Sequence, residues 1–294
     1  MKSEVFINMV RFYQLETDFR TVNCGMTYVF ILEDGRFVIE DGGYFADGQA
    51  EALHDFLLSH SDGKIRVAAW LFSHAHQDHI GAFINYIRMY RDTEIEHLIY
   101  QFQSADFSNI DPNWKSKDDY ATFHEFYVAV RECLPGVKIV NPLRGDTFSI
   151  GTLGFEVLYT YLDAEEPITN FNDHSIVFRV TCEGRKILLL GDAASVASKV
   201  LLKTPEFLAC DMVQVAHHGF RGAEKEVYEH TGASIALWPT ASYEMEKNAI
   251  RPANDYLLHE SGMTAILSND GTAEFHLPDL SYTVLPRVFP DKEF

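Results

Sequence analysis

The segment His74-Ala75-His76-Gln77-Asp78-His79 puts three imidazoles and a carboxylate into six consecutive residues. These side chains suit zinc and its neighbours in the transition series. In an extended chain, residues two apart point the same way, so His74 and His76 can grip one ion together. Asp78 and His79 come after the chain turns and can grip a second. Asp192 closes the apolar run Ile187-Leu188-Leu189-Leu190-Gly191. A carboxylate there can be a turn residue or a helix cap, but beside a two-metal motif it reads as a bridge between two cations. His217-His218-Gly219 ends another apolar run. Neighbouring residues of a strand face opposite ways, so one of these histidines should face the metals while the other packs or meets substrate. The sequence leaves open which one does. Asp41, just before Gly42-Gly43, also ends a strand and could orient a metal-binding histidine. Two cations would lower the pKa of water towards ~7, and Asp78 or Asp192 could take the proton as a bond breaks. Arg221 and Arg251 are candidate anion clamps, because guanidinium matches phosphate and carboxylate geometry.

Strands and turns must bring these residues together. Residues 65–72 are a nearly continuous apolar run that leads into the histidine cluster, as a buried strand would, with a helix following over 81–90. Earlier strands are predicted at 5–13, 28–32 and 36–40, the last two around the hairpin pair Asp34-Gly35. Later ones fall at 97–102, 138–141, 155–159, 175–181, 186–190, 212–216, 235–238, 264–268 and 273–276. Helical spacing marks 50–58, 120–130, 193–202, 224–230 and 254–260. The strands form two groups, before and after about residue 140. That pattern predicts an α/β chain folded as one four-layer αββα sandwich over residues 1–294, two mixed sheets with helices outside. Residues 103–127 carry Phe107, Trp114, Tyr120, Phe123, Phe126 and Tyr127, either a substrate lid or a core helix with a surface loop.

Composition narrows the partners. The chain has 24 Lys and Arg against 43 Asp and Glu, a formal charge of −19. That balance disfavours nucleic acid and anionic membrane as partners and leaves a small-molecule substrate. Apolar residues are 47% and charged residues 23%, a globular composition. Cys24, Cys133, Cys182 and Cys210 form no C-x-x-C pair and are expected as reduced thiols. No apolar run reaches ~18 residues and no charged-then-apolar leader opens the chain, so the expected location is the cytoplasm.

In their order along the chain, Asp41, the His74–His79 cluster, Asp192 and the His217/His218 pair resemble the metallo-β-lactamase superfamily, with its H-x-H-x-D-H core. The second half is similar to the metallo-hydrolase domain of the competence DNA-uptake channel proteins and its soluble relatives. The likeness lies in Asn172-Asp173-His174-Ser175, Leu188-Leu189-Leu190-Gly191-Asp192 and Gln214-Val215-Ala216-His217-His218-Gly219. The resemblance implies an αββα sandwich with a dinuclear site at one edge, holding two divalent transition-metal ions, Zn first and Mn second. It implies hydroxide on the metals attacking an ester-like bond, and the branch points to a small phosphoester or phosphodiester. A lactam, lactone or thioester is the alternative, and a binding or regulatory protein with a degenerate site is another. Three departures stand out. Most members supply a further histidine before the bridging Asp, where this chain offers Asn172 and His174, the latter a candidate replacement ligand. A late G-H-P is replaced by Ile250-Arg251-Pro252, and the usual Ser after H-H-G by Phe220.

Overall fold

The computed structural model describes residues 9–18, 24–46, 48–103, 117–168 and 170–289. Along the first half run β1 (Arg11–Gln14), β2 (Tyr28–Ile31), β3 (Phe37–Glu40), β4 (Arg66–Leu71), β5 (Glu94–Ile95), β6 (His97–Ile99) and β7 (Lys138–Val140). Between them lie α1 (Gln49–Ser59), α2 (Gln77–Met89) and α3 (Lys117–Cys133). The second half supplies β8 (Thr147–Ile150), β9 (Leu153–Tyr159), β10 (Val177–Cys182), β11 (Arg185–Leu189), β12 (Met212–Gln214), β13 (Ile235–Trp238), β14 (Thr264–Leu267), β15 (Ala273–His276) and β16 (Ser281–Val284). Its helices are α4 (Ser195–Leu201), α5 (Lys225–Glu229), α6 (Ser242–Asn248) and α7 (Pro252–Asp255). One sheet runs β16-β15-β1-β2-β3-β4-β6-β7 with β5 beside β4; the other runs β14-β13-β12-β11-β10-β9-β8.

Alternation along the strands builds the layers. In β4 and the residue after it, Val67, Trp70 and Phe72 pack beneath α1, α2 and α3, while Ala68 and Leu71 face the other sheet. In β11 and just beyond, Ile187 and Leu189 face the first sheet, while Leu188 and Leu190 pack against α4 and α5 residues such as Ala197 and Val227. Both strands are buried on two faces, so they read as continuous apolar runs. The result is the αββα sandwich of two mixed sheets. Among the described residues, no helix is long and apolar enough to cross a membrane. The four cysteines are free thiols.

The structure corrects several expectations. The two strand groups do not divide cleanly, because β15 pairs with β1 and returns the chain to the first sheet. The first strand begins at Arg11, and residues 5–8 of the expected one lie outside the described residues. Strand β8 was not expected, although its hairpin partner β9 matches the strand expected at 155–159. α6 and the exposed β16 carry too little apolar periodicity to be seen. The strand expected from residue 175 starts at Val177, after a tight turn over Phe171–His174. The helix expected over 254–260 is α7 followed by a wide π-type turn, Tyr256–Glu260. Of the proposed lid residues, Phe123 and Phe126 are buried in the core beneath the first sheet and Tyr127 is partly exposed. Phe107, Trp114 and the Tyr120 side chain lie outside the described residues.

Candidate metal centre

Asp41, His74, Asp192 and the His217-His218 pair lie just past the C-terminal ends of strands, Asp78 and His79 open α2, and Asn172 and His174 lie in the turn before β10. Asp41 follows β3, His74 follows β4, Asp192 follows β11 and the histidine pair follows β12. β3 runs parallel to β4 and β11 parallel to β12, so these ends gather at one edge of the sandwich. There the halves are stitched together by Ile176 N donating to Ser73 O at 2.9 Å. The approach requires Gly191, where a Cβ would lie 2.7 Å from Ser73 Cβ.

Two groups of ligand atoms share Asp192: Asp78, His79, Asp192 and His218, and separately His74, His76 and Asp192. In the first group Asp192 Oδ1 is 3.2 Å from His79 Nε2 and 3.6 Å from His218 Nε2. Asp78 Oδ2 is 3.1 Å from His218 Nε2 and 3.8 Å from His79 Nε2. The two Nε2 atoms are 3.3 Å apart. Metal–nitrogen bonds of ~2.0–2.1 Å at tetrahedral angles separate ligand atoms by about 3.3 Å. The spacing therefore fits a common cation. So does Asp192 Oδ1, which is buried yet accepts no hydrogen bond. In the second group His74 Nε2 is 3.0 Å from His76 Nδ1 and 3.7 Å from Asp192 Oδ2. His217 Nε2 lies 4.0 Å from that same oxygen.

The histidine pair departs from expectation. Both rings border Asp192, one near each oxygen. The opposite-faces rule fails because His217 and His218 are left-handed, at φ 50° and 55°, and Gly219 follows at φ 83°. This curl turns both imidazoles towards one carboxylate. Gly219 backs onto the Trp238 ring, whose Nε1 donates to His218 O at 3.0 Å.

Supporting contacts set ring orientation and charge. Asp41 accepts from Ser73 N at 2.8 Å and Ser73 Oγ at 2.7 Å, and its Oδ2 lies 2.7 Å from His79 Nδ1. That pairing leaves His79 Nε2 to face Asp192. His218 Nδ1 is likewise engaged, donating to Pro239 O at 2.9 Å. Burial would raise the Asp78 and Asp192 carboxyls, but the facing imidazoles hold both well below the usual range. Burial would lower His79, but Asp192, Asp41 and Asp78 push it well above its ordinary value. Burial and the neighbouring His79 hold His74 well below, so it keeps a free lone pair. A cation entering the first group must therefore displace a proton from His79.

Asp192 does not cap a helix. Asp173 performs that task, accepting from the backbone N of Ala194, Ala197 and Val196 at 2.8, 3.0 and 3.3 Å. Asp192 is thereby left to the histidines. His174 belongs to neither ligand group; its Nδ1 donates to Phe171 O at 3.1 Å, and its ring packs by Phe171 and Tyr161. Asn172 lies nearer, its Nδ2 3.2 Å from His217 Nε2 and its buried Oδ1 without a hydrogen bond. Arg221 and Arg251, thirty residues apart, line one cavity of about 320 Å³ beside the histidine turn. Sequence reasoning missed Ser73 and Asp173. It also missed Cys24, whose thiol is pushed well up by burial and by the Asp78 carboxylate against it. Nothing local signals the capping role of Asp173, because α4 begins two strands later, at Ser195.

Comparison with known proteins agrees with this geometry. The family model of the metallo-beta-lactamase superfamily matches residues 22–230. The chain belongs to the metallo-β-lactamase superfamily. No curated protein matches it. Among solved structures, it is similar to the metallo-beta-lactamase fold protein YhfI of Bacillus subtilis, at 13% identity and TM-score 0.52, covering 90% of this chain and 99% of that one. It also resembles a diphosphatase of the PhnP family, at 14% identity and TM-score 0.51, over 91% and 98% of the two chains. The diiron β-hydroxylase CmlA of Streptomyces venezuelae shares 13% identity at TM-score 0.54, over 90% of this chain and 54% of that one. At such identities the likeness is one of fold, and this superfamily fold carries several chemistries.

Proposed function

We propose that this chain is a metal-dependent hydrolase of a small phosphoester or phosphodiester, using two transition-metal cations, Zn or Mn. The observation that carries the reading is the placement of Asp192, with one oxygen in each ligand group. His74, His76 and Asp192 Oδ2 would hold one cation, with His217 beside them. His79, His218, Asp78 and Asp192 Oδ1 would hold the other. When bound, the pair supplies Lewis acidity and a water acidic enough to ionise near neutral pH. Asp41 keeps the His79 proton on Nδ1, so that Nε2 presents its lone pair. Asp78 takes the proton that moves during bond breaking, because its side chain is 12% exposed while Asp192 is 1% exposed. The choice of phosphorus rests on the second-half motifs. A formal charge of −19 favours a small molecule over long nucleic acid.

The test is metal content together with rate. The saturated protein should carry about two ions, and a bis-aryl phosphodiester should be cleaved faster than a cephalosporin or a thioester. One ion or fewer would remove the dinuclear reading. A tenfold advantage for the lactam or thioester, about 1.4 kcal/mol, would replace phosphorus by carbonyl chemistry.

A further inference from the structure

The cavity next to the histidine turn has a lining that the reaction at Asp192 does not use. Its walls come from the segments that carry the site: Ala194 lies two residues past Asp192, and Ala216, Gly219 and Phe220 flank the histidine pair. The cavity therefore adjoins the segments that carry the ligand groups. Its volume, about 320 Å³, is at the lower end of small-molecule pockets. The charged residues on its wall are Arg221, Glu224, Lys225 and Arg251. Lys225 is engaged by Glu229 and Glu260. Glu224 and Arg221 are both exposed to solvent, and Arg251 is half-buried. Arg221 makes no ion pair or hydrogen bond among the described residues, and Arg251 uses only Nε, donating to Asn248 Oδ1 at 2.9 Å. Acids outnumber bases 43 to 24 in this chain, yet two guanidinium groups without a carboxylate partner line one cavity. Guanidinium suits oxyanions in two-point contact, and an arginine lacking an acidic partner keeps its donors for a ligand.

We propose that Arg221 and Arg251 make this cavity a receptor for a second oxyanion, phosphoryl or carboxyl, carried by a phosphoester whose scissile bond lies at the Asp192 groups. The inference rests on the phosphoester reading and adds a substrate class to it: a compact molecule with an anionic group remote from the bond that breaks. The two arginines are positioning residues, and the distal anion binds without taking part in bond cleavage.

The experiment uses the full metal-loaded chain and three aryl phosphodiesters that differ only in a terminal phosphate, carboxylate or hydroxyl. A charge-assisted contact predicts a KM about tenfold or more lower for either anionic tail, with kcat within a few-fold. Arg221→Gln and Arg251→Gln should each shrink that difference, and Arg221→Lys should restore part of it. Calorimetric titration with non-hydrolysable phosphonate analogues, with and without the anionic tail, reads the same preference without turnover. Equal KM values for all three tails, or a preference that survives both Gln variants, would overturn the cavity proposal and leave the hydrolase intact. If no diester is cleaved, the phosphoester reading fails, and calorimetry still decides whether the cavity takes an anion.

Discussion

Asp41→Asn changes the proton on one imidazole and little else. The site is fully buried, and at φ 56° Asn is among the residues best able to replace Asp. In the native protein Oδ1 accepts from Ser73 N, while Oδ2 faces Ser73 Oγ and His79 Nδ1. An asparagine has one acceptor and one donor to place there. If its oxygen keeps Ser73 N, its amide faces His79 Nδ1. That ring nitrogen must then accept, its proton moves to Nε2, and the lone pair aimed at Asp192 is lost. If the amide flips, it meets the buried Ser73 N–H donor to donor, an unsatisfied pairing worth ~1–3 kcal/mol. Either way, affinity for the cation at His79 should fall about 10- to 100-fold, or ~1.4–2.7 kcal/mol. The loss should fall mainly on that cation, because His79 meets Asp41 directly while His74 meets it only through Ser73 Oγ, 3.1 Å from His74 Nδ1. Chelator competition with Zn at pH 7.5 should show one wild-type site and one weakened site, with far-UV circular dichroism unchanged. Two sites of wild-type affinity would refute the tautomer argument and the role given to Asp41. Equal weakening of both would show general loosening instead.

Asp192→Ala should abolish turnover and leave less than half of the wild-type metal content by mass spectrometry, whereas His97→Ala and His259→Ala keep both. Retained metal and rate in Asp192→Ala would end the bridging assignment. Gly219→Ala places a Cβ 2.4 Å from Trp238 Nε1 in a left-handed turn. It should cost ~2–4 kcal/mol in denaturant unfolding and lower affinity for both cations, and a wild-type midpoint would contradict the close approach. Glu40 is buried, with neither carboxyl oxygen hydrogen-bonded, and burial and Asp41 push its pKa well up. Above the ordinary glutamate value the unfolded chain loses this proton while the folded one keeps it, so stability declines as pH rises towards the folded value. Glu40→Gln should therefore raise Tm by about 2–4 °C at pH 8 and change little at pH 4.5. Parallel Tm–pH curves for the two proteins would dispose of the argument.

The ligand cluster was legible in the sequence because it is local. His74, His76, Asp78 and His79 share one strand-to-helix turn, and period-two alternation with a short turn already groups them in pairs. Asp192 was legible for a similar reason, as a carboxylate where a doubly buried strand stops. The sandwich could be read from strands apolar on both faces, such as β4 and β11. What the sequence withheld depends on backbone conformation or on distant packing. Adjacent histidines suggest opposite faces, and only the left-handed curl of His217-His218-Gly219 against Trp238 turns both rings to Asp192. In sequence Asp192 is the plausible cap for α4, and only the tertiary path of Phe171–His174 assigns that task to Asp173, which lies two strands earlier in the chain. Arg221 and Arg251 become neighbours only because α7 packs beside the turn that follows β12. Local spacing determined which side chains could bind metal. Long-range packing decided which of them share a carboxylate, because the direction of a side chain follows φ and ψ and the neighbours that hold them.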